Sequence, residues 1–370
     1  MSKEQTNICK GIAIIMMYVH HLFYSWETVQ NYEINWYPLT GDIVIWIAQL
    51  CKVCVAVFVF LTGYGSTKSY FNRNEKIKKK VFERYFRFLS NYWIIFLLGI
   101  ILGCCMGPLG AQHTIGTVYF QEGKFKGIVY FLIDFIGVAN IFGTPTFNAT
   151  WWYVPYAILF IFIVLYLVKV VEKLQILTIG IIVLAPRFLY DVDGRPIFRY
   201  LLVLVLGIYF ARFNIFEKLK QSPLAKSKID IIFVTVLSIF LILIRQRLGY
   251  YDISEGGLAI CICYYVYRIF TYIKGLNKLL ELLGKHSMNL FLLHSFIIVY
   301  YFKDEIYSLE NIWIILLGSF LVTFLISVII EWTKKILHFN ESINKLQNKM
   351  LSFWESKVET QYHKANKVQF

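Results

Sequence analysis

Charge is scarce in this chain. Asp, Glu, Lys and Arg make up only 16% of its 370 residues, whereas 58% are hydrophobic and 18% aromatic. That balance excludes an ordinary soluble domain. Also missing are a hydrophilic stretch of domain size, a low-complexity linker and a convincing internal repeat. The first apolar run lacks a small-x-small cleavage site and holds two histidines, so it is expected to be a span and not a cleaved leader. Seven cysteines form no disulfide framework. Cys51, Cys54, Cys104, Cys105, Cys261 and Cys263 lie in apolar stretches, where free thiols serve as small hydrophobes. The Cys51-x-x-Cys54 pair has no second pair at metal-ligand spacing.

What the chain does have is long apolar runs. Residues 8–26, 43–66, 88–106, 150–168, 174–190, 197–211, 229–244, 256–273, 286–302 and 311–330 are each near the length needed to cross a bilayer. The expected fold is all-α, a polytopic membrane protein of about ten transmembrane helices. Residues 127–142 are apolar but short and carry Asp134, so they are expected to form a re-entrant or interfacial segment on the outer side. Residues 1–337 would form the membrane-embedded domain. Residues 338–370 read as a cytoplasmic amphipathic tail on the membrane surface.

The net charge of +14 is distributed unevenly. With the N-terminus inside, segments 1–10, 67–87, 169–173, 212–228, 274–285 and 334–370 are all cytoplasmic. They hold 27 of the 37 Lys and Arg residues, and the outer segment 27–42 holds none. This positive-inside bias predicts a multi-pass protein of the cell membrane with both termini cytoplasmic. Basic clusters beside spans are expected to meet anionic membrane lipids, not nucleic acid.

The first run carries the most informative pattern. Lys10 sits at its inner edge, and His20 and His21 lie deep inside it. Ionisable groups within a span are expensive and mark candidate sites. At about 100° and 1.5 Å per residue, Lys10 and His21 share a face to within roughly 20° and stand roughly 16 Å apart along the axis. His20 points roughly 80° away from Lys10. A packing imidazole beside a snorkelling lysine fits this pattern as well as a catalytic stripe does.

Five segments then converge on a family. They are Lys10 with His21, Phe58-Val-Phe-Leu-Thr-Gly-Tyr64, Arg84-Tyr-Phe-Arg87 running into Ser90-Asn-Tyr92-Trp93, Asn148-Ala-Thr-Trp151-Trp152, and Gly284-Lys-His-Ser287-Met288-Asn-Leu-Phe291-Leu-Leu-His294. In order and spacing the chain resembles the acyltransferase-3 family of polytopic membrane acyltransferases, mostly bacterial O-acetyltransferases of sugars and surface glycans. Departures from the family pattern are Lys10 for the commoner Arg, Thr62 for Ser and Ser90 for Pro.

The resemblance implies a membrane O-acyltransferase that moves acetyl from cytosolic acetyl-CoA to a hydroxyl of a sugar or cell-surface glycan. It implies no tightly bound cofactor and no metal. Lys10, Arg84 and Arg87 are the expected holders of acyl-CoA phosphates through charge-assisted bonds, although these residues also suit positive-inside anchoring. His21 is the expected catalytic residue, either as general base or as a transient acyl carrier. His294, Glu27, Glu33 and Trp151 are weaker candidates for a substrate or proton path. Rings beside acids in 27–42 (Glu27, Tyr32, Glu33, Trp36, Tyr37 and Asp42) suit a sugar, and equally an interfacial aromatic belt. The alternative is a polysaccharide export or transport component, with intramembrane His, Lys and Glu lining the path. The paired interrupted helices common in transporters are not visible in the sequence.

Overall fold

Each apolar run becomes helix, as expected of a backbone that finds no water to bond in a bilayer. The computed structural model describes residues 1–71, 77–189, 196–249, 251–270 and 273–367. The ends of runs 174–190 and 256–273, and Arg73 and Lys76 of the inner basic segment, lie outside the described residues. The principal helices are α1 (Lys3–Phe23), α2 (Gly41–Leu50), α3 (Cys54–Phe71), α4 (Ile77–Met106), α5 (Lys124–Phe135), α6 (Val154–Leu174), α7 (Ile176–Leu189), α8 (Pro196–Arg212), α9 (Ile215–Gln221), α10 (Ile229–Arg247), α11 (Tyr251–Arg268), α12 (Lys274–Ser295), α13 (Ile312–Ile336) and α14 (Phe339–Lys367). Among the described residues the only extended pairing is an isolated bridge between Asn35 and Asn311.

Six helical stretches among the described residues are long and apolar enough to cross a membrane: Gly41–Tyr70, Lys79–Leu109, Ala149–Leu174, Ile229–Arg247, Gly275–Tyr301 and Ile312–Ile336. A seventh follows if α8 and α9, bent by 60°, count as one span. The chain is thus an all-helical, multi-pass membrane protein. The remaining runs are helical but shorter or more polar. Helix α1 has 21 residues and carries Lys10, His20 and His21, and α7 has 14.

Glycine sets how closely the central helices approach. A Cβ on Gly11 would overlap the carbonyl oxygen of Leu280, and one on Gly284 would overlap that of Asn7. Such backbone contact is the small-residue packing that membrane helices use in place of a hydrophobic drive. Helices α3 and α8 repeat the device, with Gly63 against the Leu204 carbonyl and Gly207 against that of Phe60. Both pairs run parallel. Gly11 meets Leu280 while His21 meets His294, and Gly63 meets Leu204 while Lys68 donates to Asn214 Oδ1 at 2.5 Å.

The face poor in Lys and Arg, expected to be the outer one from the charge bias, is covered by two folded segments. In the first, Asn35 N donates to the Glu310 carbonyl at 2.6 Å and Ile312 N to that of Asn35 at 3.2 Å. Tyr307 Oη donates to the Leu22 carbonyl at 2.6 Å, and Tyr32 Oη to Asp304. Burial, with help from Asp304, raises the Tyr32 phenol to about 12, so it stays a donor. The second segment, residues 107–149, folds around Asp134. That carboxylate accepts from Tyr119 Oη at 2.6 Å, Phe147 N at 2.6 Å, Thr146 Oγ1 at 3.1 Å and Tyr92 Oη at 3.3 Å. Asp134, open to several readings in the sequence, is the hydrogen-bonded centre of this cap.

Candidate active site

Helix α1 ends at Phe23, so His20 and His21 lie in its last turn, toward the capped face and not midway along the helix. The cap formed by residues 24–40 and 302–311 is what makes this an interior position. The His21 ring lies 5.0 Å from that of His20 and 4.7 Å from that of His294 on α12. Gly11 precedes His21 by ten residues, and Gly284 precedes His294 by the same number. Parallel helices held in contact at those glycines therefore bring both imidazoles to one level, about 15 Å further along at 1.5 Å per residue.

Hydrogen bonding sorts the three imidazoles. His20 Nδ1 lies 2.9 Å from the Ala48 carbonyl oxygen, and His294 Nδ1 lies 2.7 Å from that of Phe291. A carbonyl can only accept, so both Nδ1 atoms carry the proton. In its neutral form His294 therefore presents a bare Nε2. That atom is fully buried and has no hydrogen-bond partner. His21 is half-buried and makes no hydrogen bond among the described residues. A single N–H from His21 to His294 Nε2 would satisfy the orphan and leave the second His21 nitrogen free to accept.

The outer end of α12 is locked by its neighbours. Asn148 Nδ2 donates to Ser295 Oγ at 2.5 Å, Thr150 Oγ1 to the same oxygen at 3.0 Å, and Trp151 Nε1 to the Leu292 carbonyl at 3.1 Å. Directly after His294 the helix widens into a π-helical segment, Phe296–Tyr301, an irregularity frequent at functional sites. Trp151 is 1% exposed, so its ring is a packing element at this junction and offers no open face. Glu27 and Glu33 are exposed in the outer segment and stand apart from the imidazoles.

At the opposite end, Lys10 lies within electrostatic range of Arg84, and Arg84 of Arg87 one turn along α4. Arg84 is exposed to solvent. Neither arginine makes an ion pair among the described residues. These cations are available to an anionic ligand. Lys334, which the sequence reading left unassigned, is buried beside them. It donates to Asn91 Oδ1 and Glu331 Oε1, both at 2.7 Å, and Glu331 also accepts from Asn289 at 2.8 Å. Sequence reasoning also left out Glu255, Arg199 and Arg245, a buried cluster among α8, α10 and α11. These residues fall at the ends of apolar runs, where charges read as interfacial.

A family model described as an acyltransferase domain matches residues 5–332, nearly the whole chain. No curated protein and no solved structure gives a match. With the motifs of its first, fourth and twelfth helices assembled as described, the chain belongs to the acyltransferase-3 family of membrane acyltransferases.

Proposed function

We propose that this chain is a cell-membrane O-acyltransferase, with acetyl-CoA on the cytoplasmic side as donor and a sugar or glycan hydroxyl reaching it from outside. The observation that carries the reading is the His21–His294 contact at one end of α1 and α12, with Lys10 toward the other end of α1 beside Arg84 of α4, and Arg87 next to Arg84. The donor phosphates would rest on that basic edge by charge-assisted bonds. The pantetheine arm would carry the thioester along α1 toward His21.

In the proposed reaction the free nitrogen of His21 takes the proton of the acceptor hydroxyl while its oxygen attacks the thioester carbonyl. The tetrahedral intermediate expels the CoA thiolate as the C–S bond breaks. His21 returns the proton to sulfur, giving a sugar ester and free CoA thiol. His294 acts as a positioning residue. By accepting the other His21 N–H it fixes the tautomer and supports the transient imidazolium.

Ten spans with both termini cytoplasmic fit this arrangement. Parallel α1 and α12, and parallel α3 and α8, each require an odd number of crossings between them. That condition holds in the ten-span arrangement, in which the segment containing α7 crosses and the segment containing α5 does not. With 12 residues, α5 is about 18 Å long, short of a hydrocarbon core of about 30 Å. Mass spectrometry of surface glycans from cells with and without the protein tests the function. Loss of acetyl mass supports acyl transfer, whereas altered polymer export at unchanged acetyl content contradicts it.

A further inference from the structure

Near the imidazoles, toward the outer ends of α8, α10 and α11, one carboxylate is surrounded by three cations. Glu255 is fully buried, with Arg199 Nη1 at 4.0 Å and Arg245 Nη2 at 3.7 Å from its Oε1. Lys52, in the turn between α2 and α3, lies within electrostatic range of all three. The contacts are loose. Neither Glu255 oxygen has a hydrogen-bond partner, and Arg245 Nε and Tyr200 Oη are also buried without one. Both guanidinium groups lie over the Tyr251 ring, 4.6 Å from its centroid for Arg199 and 5.3 Å for Arg245.

Charge and geometry together call for an anion. Among the described residues of this cluster three cations face one carboxylate, an excess of positive charge around the buried Glu255 and Arg245, where an uncompensated charge is costly. Guanidinium forks match phosphate oxygens in pairs. Arg245 Nη2 donates to the Gln49 carbonyl at 3.2 Å, which holds that guanidinium in place while its Nε stays unpartnered beside the weakly held Glu255. Lys52 and Arg245 lie within range of His20, and Lys52 of His21. A ligand in this cluster would therefore stand beside the reacting groups, on the side away from Lys10, Arg84 and Arg87.

We propose that Lys52, Arg199 and Arg245 form a second anion site that holds a phosphate or diphosphate group of the acceptor, a sugar phosphate either free or at the head of a lipid carrier. Only the word acceptor rests on the acyl-transfer reading; the anion site stands on its own geometry.

The test uses the full chain in nanodiscs of neutral lipid, titrated with inorganic pyrophosphate while saturating CoA fills the donor edge. Glucose 1-phosphate and glucose serve as further probes. Pyrophosphate is expected to bind despite the CoA, and glucose 1-phosphate at least tenfold more tightly than glucose. Arg199→Gln and Lys52→Gln should each weaken pyrophosphate about tenfold, Glu255→Gln should tighten it, and Arg87→Gln should leave it unchanged. Arg199 is partly exposed, so its substitution leaves the buried packing in place, and size-exclusion profiles confirm folding. Doping the discs with a polyprenyl diphosphate separates the two sources. Competition with pyrophosphate assigns the lipid-borne form, and its absence the free form. Binding that vanishes with CoA or with Arg87→Gln, or that survives Arg199→Gln and Lys52→Gln unchanged, would overturn the site. Failure of the acyl-transfer reading shows separately, as absent acetyl transfer with pyrophosphate binding intact.

Discussion

His21 and His294 face each other at 4.7 Å because each lies ten residues beyond a glycine at which α1 and α12 touch backbone to backbone. The histidine register is thus set by Gly11 and Gly284, far from the chemistry. Gly284→Ala would drive a methyl into the Asn7 carbonyl. An overpacking cost of about 1–3 kcal/mol is expected, with a lower melting temperature in detergent. The turnover number should fall at unchanged acetyl-CoA KM.

His294 holds its proton on Nδ1 through the Phe291 carbonyl, so its role depends on a bare Nε2. His294→Gln and His294→Phe should both lower turnover, with Gln, whose carbonyl can still accept, retaining more. The acid limb of the pH–rate profile should also move, because it reports His21 in its surroundings. A uniform loss in both variants with an unmoved profile would assign His294 to packing alone.

Arg87 and Arg84 form no ion pairs among the described residues, and Arg84 lies within electrostatic range of both Lys10 and Arg87. Arg87→Ala should raise the acetyl-CoA KM about tenfold, corresponding to loss of a charge-assisted contact of about 1.4 kcal/mol. The acceptor KM should not change. Lys10→Arg should keep most activity. An unaltered donor KM in Arg87→Ala would leave that residue a topological anchor.

Asp134 collects four hydrogen bonds in the outer cap. Asp134→Ala leaves Tyr119 Oη and Phe147 N without an acceptor, while Tyr92 Oη keeps the backbone carbonyl of residue 134 at 2.9 Å, and each buried orphan costs about 1–3 kcal/mol. The melting temperature should drop sharply while the donor KM of any surviving protein stays the same. Topology is checked with Glu122→Cys and Ser222→Cys in a cysteine-free background. An impermeant thiol reagent outside the cell should label position 122 and not 222.

Much of this architecture was legible in the sequence because bilayer length and charge bias act on composition alone. The Lys10–His21 stripe was visible as helical spacing. The meeting of His21 with His294 was not, because it depends on the register of two helices separated by more than 250 residues. Gly11 and Gly284 carry that register, but a glycine within a helical segment reads as a weak helix position until its neighbour is known. Trp151 was a candidate for the substrate or proton path. The structure buries it against the Leu292 carbonyl, a contact that only tertiary packing shows. Glu255, Arg199 and Arg245 were hidden for a different reason. Charges at the ends of spans are common, and only their convergence sets these apart.

The most direct test compares His21→Ala with His20→Ala at matched membrane abundance, measuring acetyl transfer from labelled acetyl-CoA to surface glycan. His20 is committed to the Ala48 carbonyl, whereas His21 is free among the described residues. A general base contributes about 10²–10⁴-fold, so His21→Ala should fall to near background while His20→Ala keeps most of its activity. Robust transfer by His21→Ala, or equal loss in both variants, would contradict the assignment of His21 as the base.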